Sequence, residues 1–273
     1  MVDRESYQAS YYQLRYAADT GLDIRNYDFF LELLNLKPGK RVLDVGSGLG
    51  VLAAAMSSYG AEVVGVDVSP FAVKEAQKRY PEARFVLLNG THLDREFQSG
   101  SFDALTCVQV LEHIPLGEVD SFISQMAKCL REGGHLLVSV PITDNLSDRW
   151  LIFRNQYLRG DYRPPTAIDS SFDPTHLWRI GDLNLLIDRF RMYSLEVERV
   201  RKLYYVPWIL DRLNWGRLIS FLPVCWLEQF LKGATVLFRK GAVGEMTQTV
   251  QFSAFWSDLP GTSGLACLKK LLA

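Results

Sequence analysis

The passage Val42-Leu-Asp-Val-Gly-Ser-Gly-Leu-Gly50 constrains this chain most, because a short apolar run breaks directly into glycines at positions 46, 48 and 50. A run of that length, bounded by a turn, reads as a buried strand. The glycines let a ligand come close to the backbone, since no Cβ stands in the way. The rest of the chain continues the pattern. Glu62–Val66, Arg84–Leu88, Phe102–Val108 and His135–Val140 read as strands, with helices expected at about 49–58, 70–80 and 119–130. Ser69 is placed as N-cap of the second helix, with Pro70 at its first position, where the missing N–H costs nothing. Val119, Phe122, Ile123, Met126, Ala127 and Leu130 recur at helical spacing before Gly133-Gly134. Strands alternating with helices predict a parallel sheet with crossover helices.

A short helix near Leu183–Phe190 precedes two more strands, around Tyr193–Val200 and Ala234–Arg239. Joined by an apolar connection, these predict an antiparallel hairpin at the sheet edge. The expected fold is therefore α/β: a doubly wound, Rossmann-like, seven-stranded sheet, mostly parallel with an antiparallel C-terminal hairpin. Residues 1–40 read as a helical flap, ending in the helix Tyr27–Leu34 and the stop Pro38-Gly39. Residues 41–240 form the main domain, with substrate-side insertions at about 142–178 and 202–231, and 241–273 read as a loosely attached tail.

Composition narrows the function. Of 273 residues, 48% are hydrophobic and 22% charged, enough to bury a core and too apolar for general disorder. Thirty basic against thirty-one acidic residues leave none of the basic excess that drives phosphate-dominated binding, so no nucleic-acid partner is expected. Cys107, Cys129, Cys225 and Cys267 are scattered without a C-x-x-C pair, which fits reduced thiols in the cytoplasm. The polar N-terminus shows no secretory signal, and no uninterrupted apolar run approaches the ~20 residues of a membrane span.

In the nicotinamide fingerprint G-x-G-x-x-G the third glycine lies five positions after the first; here the interval is four, and Asp44 sits two residues before Gly46. Both features oppose a pyrophosphate and a nicotinamide-dependent oxidoreductase, since a carboxylate there repels phosphate but can help hold an ammonium group.

Leu43-Asp-Val-Gly-Ser-Gly-Leu-Gly50 resembles the first motif of class I S-adenosylmethionine-dependent methyltransferases, and later motifs follow in order. Val63-Val-Gly-Val-Asp67 ends the second strand with an acid where such enzymes hold both ribose hydroxyls. Phe85-Val-Leu-Leu-Asn89-Gly90 ends the third; the family usually has Asp where this chain has Asn89, whose oxygen can still accept the adenine amino group. Phe102-Asp-Ala-Leu105, Val110-Leu-Glu-His113 and Leu130-Arg-Glu-Gly-Gly134 resemble the fourth-strand motif and the entry to the fifth strand. The resemblance, strong over 35–140 and weak over 170–200, implies S-adenosylmethionine as cofactor. It places Asp44, Gly46, Ser47, Gly48, Gly50, Asp67, Val68, Asn89, Gly90 and Val108 in the cofactor site. Helix capping by the two acids, and an ordinary turn role for Asn89, are the competing readings.

On the acceptor side, His113 is the candidate general base, because an unperturbed imidazole titrates near neutral pH. A histidine that only fixes the loop through backbone bonds is the alternative. Glu112, His113 and the distant His176 resemble the metal set of small-RNA 2′-O-methyltransferases and ubiquinone-biosynthesis O-methyltransferases. Gln109 stands where those families usually carry Glu, which disfavours a hard divalent cation. The aromatic-rich stretch 203–231 reads as helices packed on the sheet edge, or as a lid for a hydrophobic or lipid-like acceptor with peripheral membrane contact through Arg212, Arg217 and Lys232. Tyr11, Tyr12 and Arg15 precede the domain where related enzymes fold a helix over the cofactor, and the resemblance implies that one of them touches its carboxylate. Transfer to oxygen of a small hydrophobic acceptor is the expected reaction, with a cofactor-binding partner that has lost catalysis as the alternative.

Overall fold

Strand and helix alternate as the hydrophobic pattern requires. The computed structural model describes residues 28–141, 183–205, 231–241 and 247–253. In chain order the elements are α1 (Asp28–Leu34), β1 (Arg41–Val45), α2 (Val51–Ser58), β2 (Glu62–Asp67), α3 (Pro70–Arg79), β3 (Arg84–Leu87), β4 (Phe102–Val108), α4 (Val119–Cys129), β5 (Leu130–Pro141), α5 (Leu183–Arg191), β6 (Leu195–Tyr205), β7 (Leu231–Lys240) and β8 (Thr247–Ser253). Short 3₁₀ turns span Gly90–Arg95 and Leu111–His113.

One sheet contains every strand, in the order β3-β2-β1-β4-β5-β7-β6-β8. From β3 to β5 all pairs are parallel. β7 lies antiparallel between β5 and β6, so the expected C-terminal hairpin is present. Seven strands are those read from the sequence; an eighth, β8, pairs parallel with Arg199–Tyr205 of β6, within a stretch where no strand was expected. The fifth strand also begins earlier than its apolar core. α4 ends at Cys129, Leu130 turns extended (φ −79, ψ 131), and Leu130 pairs with Phe102 before an irregularity that ends at the His135–Ala104 pair.

Successive side chains alternate across each strand, and both faces are covered. Leu43, Val45, Leu105, Leu136 and Val138 face Phe122, Ile123 and Met126 of α4 and Leu186 and Phe190 of α5. Val42, Val63, Ala104 and Leu137 face Leu31 and Leu34 of α1, Leu52 and Met56 of α2 and Val73 of α3. With both faces packed, the carboxyl ends of the strands are left for a ligand. The connections run outward in opposite directions from β1 and β4, and this reversal opens a crevice between them. Ser69 caps α3 as read, its hydroxyl accepting from Ala72 N at 3.2 Å. Residues 1–27, His176, most of the aromatic-rich connection and 254–273 lie outside the described residues.

Candidate functional site

The site starts where β1 runs out. Gly46 turns the chain with φ +77, and both Gly46 N and Ser47 N donate to Val66 O of β2, at 2.8 and 2.9 Å. A Cβ at position 46 would collide with Val110, so the turn and the segment after β4 pack in direct contact. Gly50 (φ +82) opens α2, and a Cβ there would come within 2.7 Å of the Phe85 ring.

Asp67 fastens this turn. Its Oδ2 accepts from Gly48 N at 2.9 Å and its Oδ1 from Ser69 N at 2.8 Å, linking the glycine turn to the start of α3. Each carboxylate oxygen still has acceptor capacity for a ligand hydroxyl. Asp44 stands on the other side, its Oδ1 accepting from Thr106 Oγ1 at 2.7 Å across the β1–β4 pair. Burial pushes Asp44 up to about 7; the Thr106 bond pulls it back, and the charge of Asp67 adds to the rise. Burial also raises Asp67, against the backbone N–H groups of Ser69, Gly48 and Val68. Between these strand ends opens a cavity lined by Asp44, Gly46, Ser47, Gly48, Leu49, Val51, Leu52 and Val108. Ser47 Oγ is buried against Gly65 of β2, without a hydrogen-bond partner among the described residues.

Other candidates lie on either side. Asn89, after β3, accepts from Thr91 N at 3.0 Å and caps the 3₁₀ turn that Gly90 begins, so the turn role is real whatever else its amide does. Past β4, Glu112 and His113 are both buried, with His113 Nε2 3.9 Å from Glu112 Oε1. Cys107 lies beneath them, and burial together with the charges of Glu112 and Asp44 pushes its thiol well up. Among the described residues no group of three or more His, Cys, Asp or Glu is arranged to hold a metal ion.

The geometry thus gathers Asp44, Gly46, Ser47, Gly48 and Val108 around one cavity, with Asp67 bonded to Gly48 in its wall and Val68 next to Asp67. Asn89 and Gly90 sit at the end of the outer strand, and Glu112 and His113 on the opposite flank. Sequence reasoning missed Thr106, Val110, Leu49, Val51 and Leu52. Aligning the strand ends would have found Thr106, which lies directly opposite Asp44.

Residues 43–138 match the methyltransferase domain family. That stretch, from β1 into β5, is the methyltransferase-like part of the chain. Within this chain, 106 residues are 41% identical to the ubiquinone biosynthesis O-methyltransferase of Xanthomonas campestris pv. campestris, covering 37% of this chain and 43% of that protein. The chain therefore spans less than half the length of that curated relative. In fold, the chain is similar to a SAM-dependent methyltransferase from Archaeoglobus fulgidus, with a TM-score of 0.59 and 14% identity over 84% of this chain and 100% of the other. It is also similar to the Burkholderia thailandensis 1,6-didemethyltoxoflavin-N1-methyltransferase, solved with S-adenosylhomocysteine, with a TM-score of 0.57 and 18% identity over 88% of each chain. No helix among the described residues is long and apolar enough to cross a membrane.

Proposed function

We propose that this chain transfers the methyl group of S-adenosylmethionine to an oxygen of a small, hydrophobic acceptor. The observation that carries this reading is the glycine turn held between two buried acids, Asp44 and Asp67, and lining a cavity at the strand ends. Two buried carboxylates held only by neutral donors gain from a ligand that brings an ammonium group and hydroxyl donors. The residues present therefore fit the cofactor.

Asp67 is suited to the ribose diol, because each of its two oxygens, one on the glycine turn and one on the start of α3, can take one O–H beyond its present backbone bond. Asp44 is suited to an ammonium group, directly or through water. Asn89 and Gly90 stand at the adenine end; the Asn89 oxygen already caps a turn, so its remaining lone pair is the one available there. Val68 and Val108 supply backbone and apolar wall. The cofactor brings a methyl carbon already electrophilic on its sulfonium, so the chain's own work is to align the nucleophile and handle one proton. His113 is the candidate to take that proton. The O-methyltransferase named among the relatives, matched over part of its length, favours oxygen. The aromatic connection in 203–231 favours an apolar or lipid-like acceptor, with peripheral membrane contact as part of the same proposal. A cytoplasmic, metal-independent enzyme is the form proposed.

Transfer of label from methyl-labelled S-adenosylmethionine to a panel of phenols and prenylated phenols tests this reading. Wild type should label at least one acceptor, Asp67→Ala none, and His113→Ala the same acceptor at least ~100-fold more slowly, the usual scale for a lost general base. Cofactor binding with no transfer to any acceptor, and no effect of His113→Ala in cells, would favour the binding partner without catalysis.

A further inference from the structure

The turn after β4 contains a conformation that its residue type does not favour. Gln109 has φ +55, the left-handed region where residues other than glycine are uncommon, and it lies between Val108 in the cavity wall and Val110 against Gly46. Such an outlier persists only where the surroundings over-determine it. They do so here. Gln109 N donates to Ser139 O at 2.9 Å, extending the β4–β5 ladder one residue past the strand. Immediately beyond, His113 N donates to Val110 O at 2.9 Å and Ile114 N to Leu111 O at 3.0 Å, closing the 3₁₀ turn that carries Glu112 and His113. One residue must reverse the chain between these two anchored stretches, and a left-handed residue does it in a single step. The reversal lays Val110 over the glycine turn and buries Glu112 and His113 on the flank of the cofactor cavity. The Gln109 side chain is exposed, so packing does not explain the conformation.

We propose that Gln109 is a positioning residue whose left-handed backbone, rather than its carboxamide, sets the acceptor-side turn and couples it through Val110 to the cofactor loop. The assignment rests on the reading that His113 serves the acceptor side of a methyltransferase. Because Val110 fills the space that a side chain on Gly46 would need, moving the turn disturbs both halves of the site. A β-branched residue at 109 cannot hold φ near +55 and moves the turn, whereas Gly and Asn hold it readily and Ala holds it about as well as Gln.

The test compares Q109G, Q109N and Q109A with Q109V, and with the milder Q109T should Q109V not fold. The chain has four histidines, so the His113 ring signals can be followed by NMR, with His92 and His135 as references. Expected are wild-type His113 signals and S-adenosylhomocysteine affinity within about threefold for the Gly, Asn and Ala variants. The β-branched variants should shift the His113 signals alone, speed amide exchange at 110–114 and weaken S-adenosylhomocysteine at least ~10-fold. Equal losses in Q109G, Q109A and Q109V would show that the carboxamide matters and overturn the proposal, as would wild-type behaviour of Q109V. If wild type bound no S-adenosylhomocysteine, the methyltransferase reading would fail, while the His113 signals would still report on the turn.

Discussion

Asp44 and Asp67 end neighbouring strands, both almost fully buried, and among the described residues neither has a salt bridge. The site therefore holds more negative charge than it neutralises, which suits a ligand carrying a cation. Asp44 titrates far above its ordinary range in the fold, to about 7, and near 3.8 when the chain unfolds. Its contribution to stability is then fully present below pH 4 and is lost as pH climbs towards 7. Asp44→Asn, neutral and still able to accept the Thr106 bond, should gain on wild type by about 3 kcal/mol between pH 5 and pH 8, read from urea unfolding at the two pH values. A constant difference would mean that Asp44 is not raised. Gly46→Ala places a side chain where Val110 lies and holds Ala at φ +77. Weakening of S-adenosylhomocysteine by more than ~10-fold is expected in calorimetry, with ~1–2 kcal/mol lost in stability.

At the scale of elements, the helices and inner strands follow from local rules. Ser69-Pro70 begins α3 where a cap and an N1 proline predict it. Ser69→Ala should cost about 1 kcal/mol in thermal unfolding. It should leave cofactor affinity within about threefold, because the bond to Asp67 comes from the Ser69 backbone. A large loss of affinity would mean that the start of α3 is held by its cap rather than by Asp67. The glycine turn was legible for a related reason: close approach demands glycine, and glycines at 46, 48 and 50 are visible without a structure. What was not legible depends on partners distant in sequence. The Thr106–Asp44 bond joins residues 62 apart, and the contact of Val110 with Gly46 spans 64 positions. β8 escaped because its alternation, Val250 and Phe252 among Thr, Gln and Ser, is short and polar-rich, and pairing to β6 is what makes it a strand. The start of β5 was read as helix because Leu130 falls on the helical spacing of α4, yet its backbone turns extended to pair with Phe102. The left-handed backbone at Gln109 gave no sign at all, since glutamine does not mark that conformation.

For the whole molecule, the order β3-β2-β1-β4-β5-β7-β6 places the β1–β4 crevice near the middle of the sheet, with both faces packed by helices. The cofactor motifs converge there because they all lie at carboxyl ends of parallel strands. The proposed acceptor side draws on 142–182 and 206–230, which lie outside the described residues, so its ligand follows less directly from sequence than the cofactor does. The most direct test of the central claim is calorimetric titration of the full chain with S-adenosylmethionine and S-adenosylhomocysteine, with Asp67→Ala and NAD as controls. Micromolar binding of both sulfur compounds, lost in Asp67→Ala and absent for NAD, is the predicted result. Clean, folded protein that binds neither sulfur compound would contradict it.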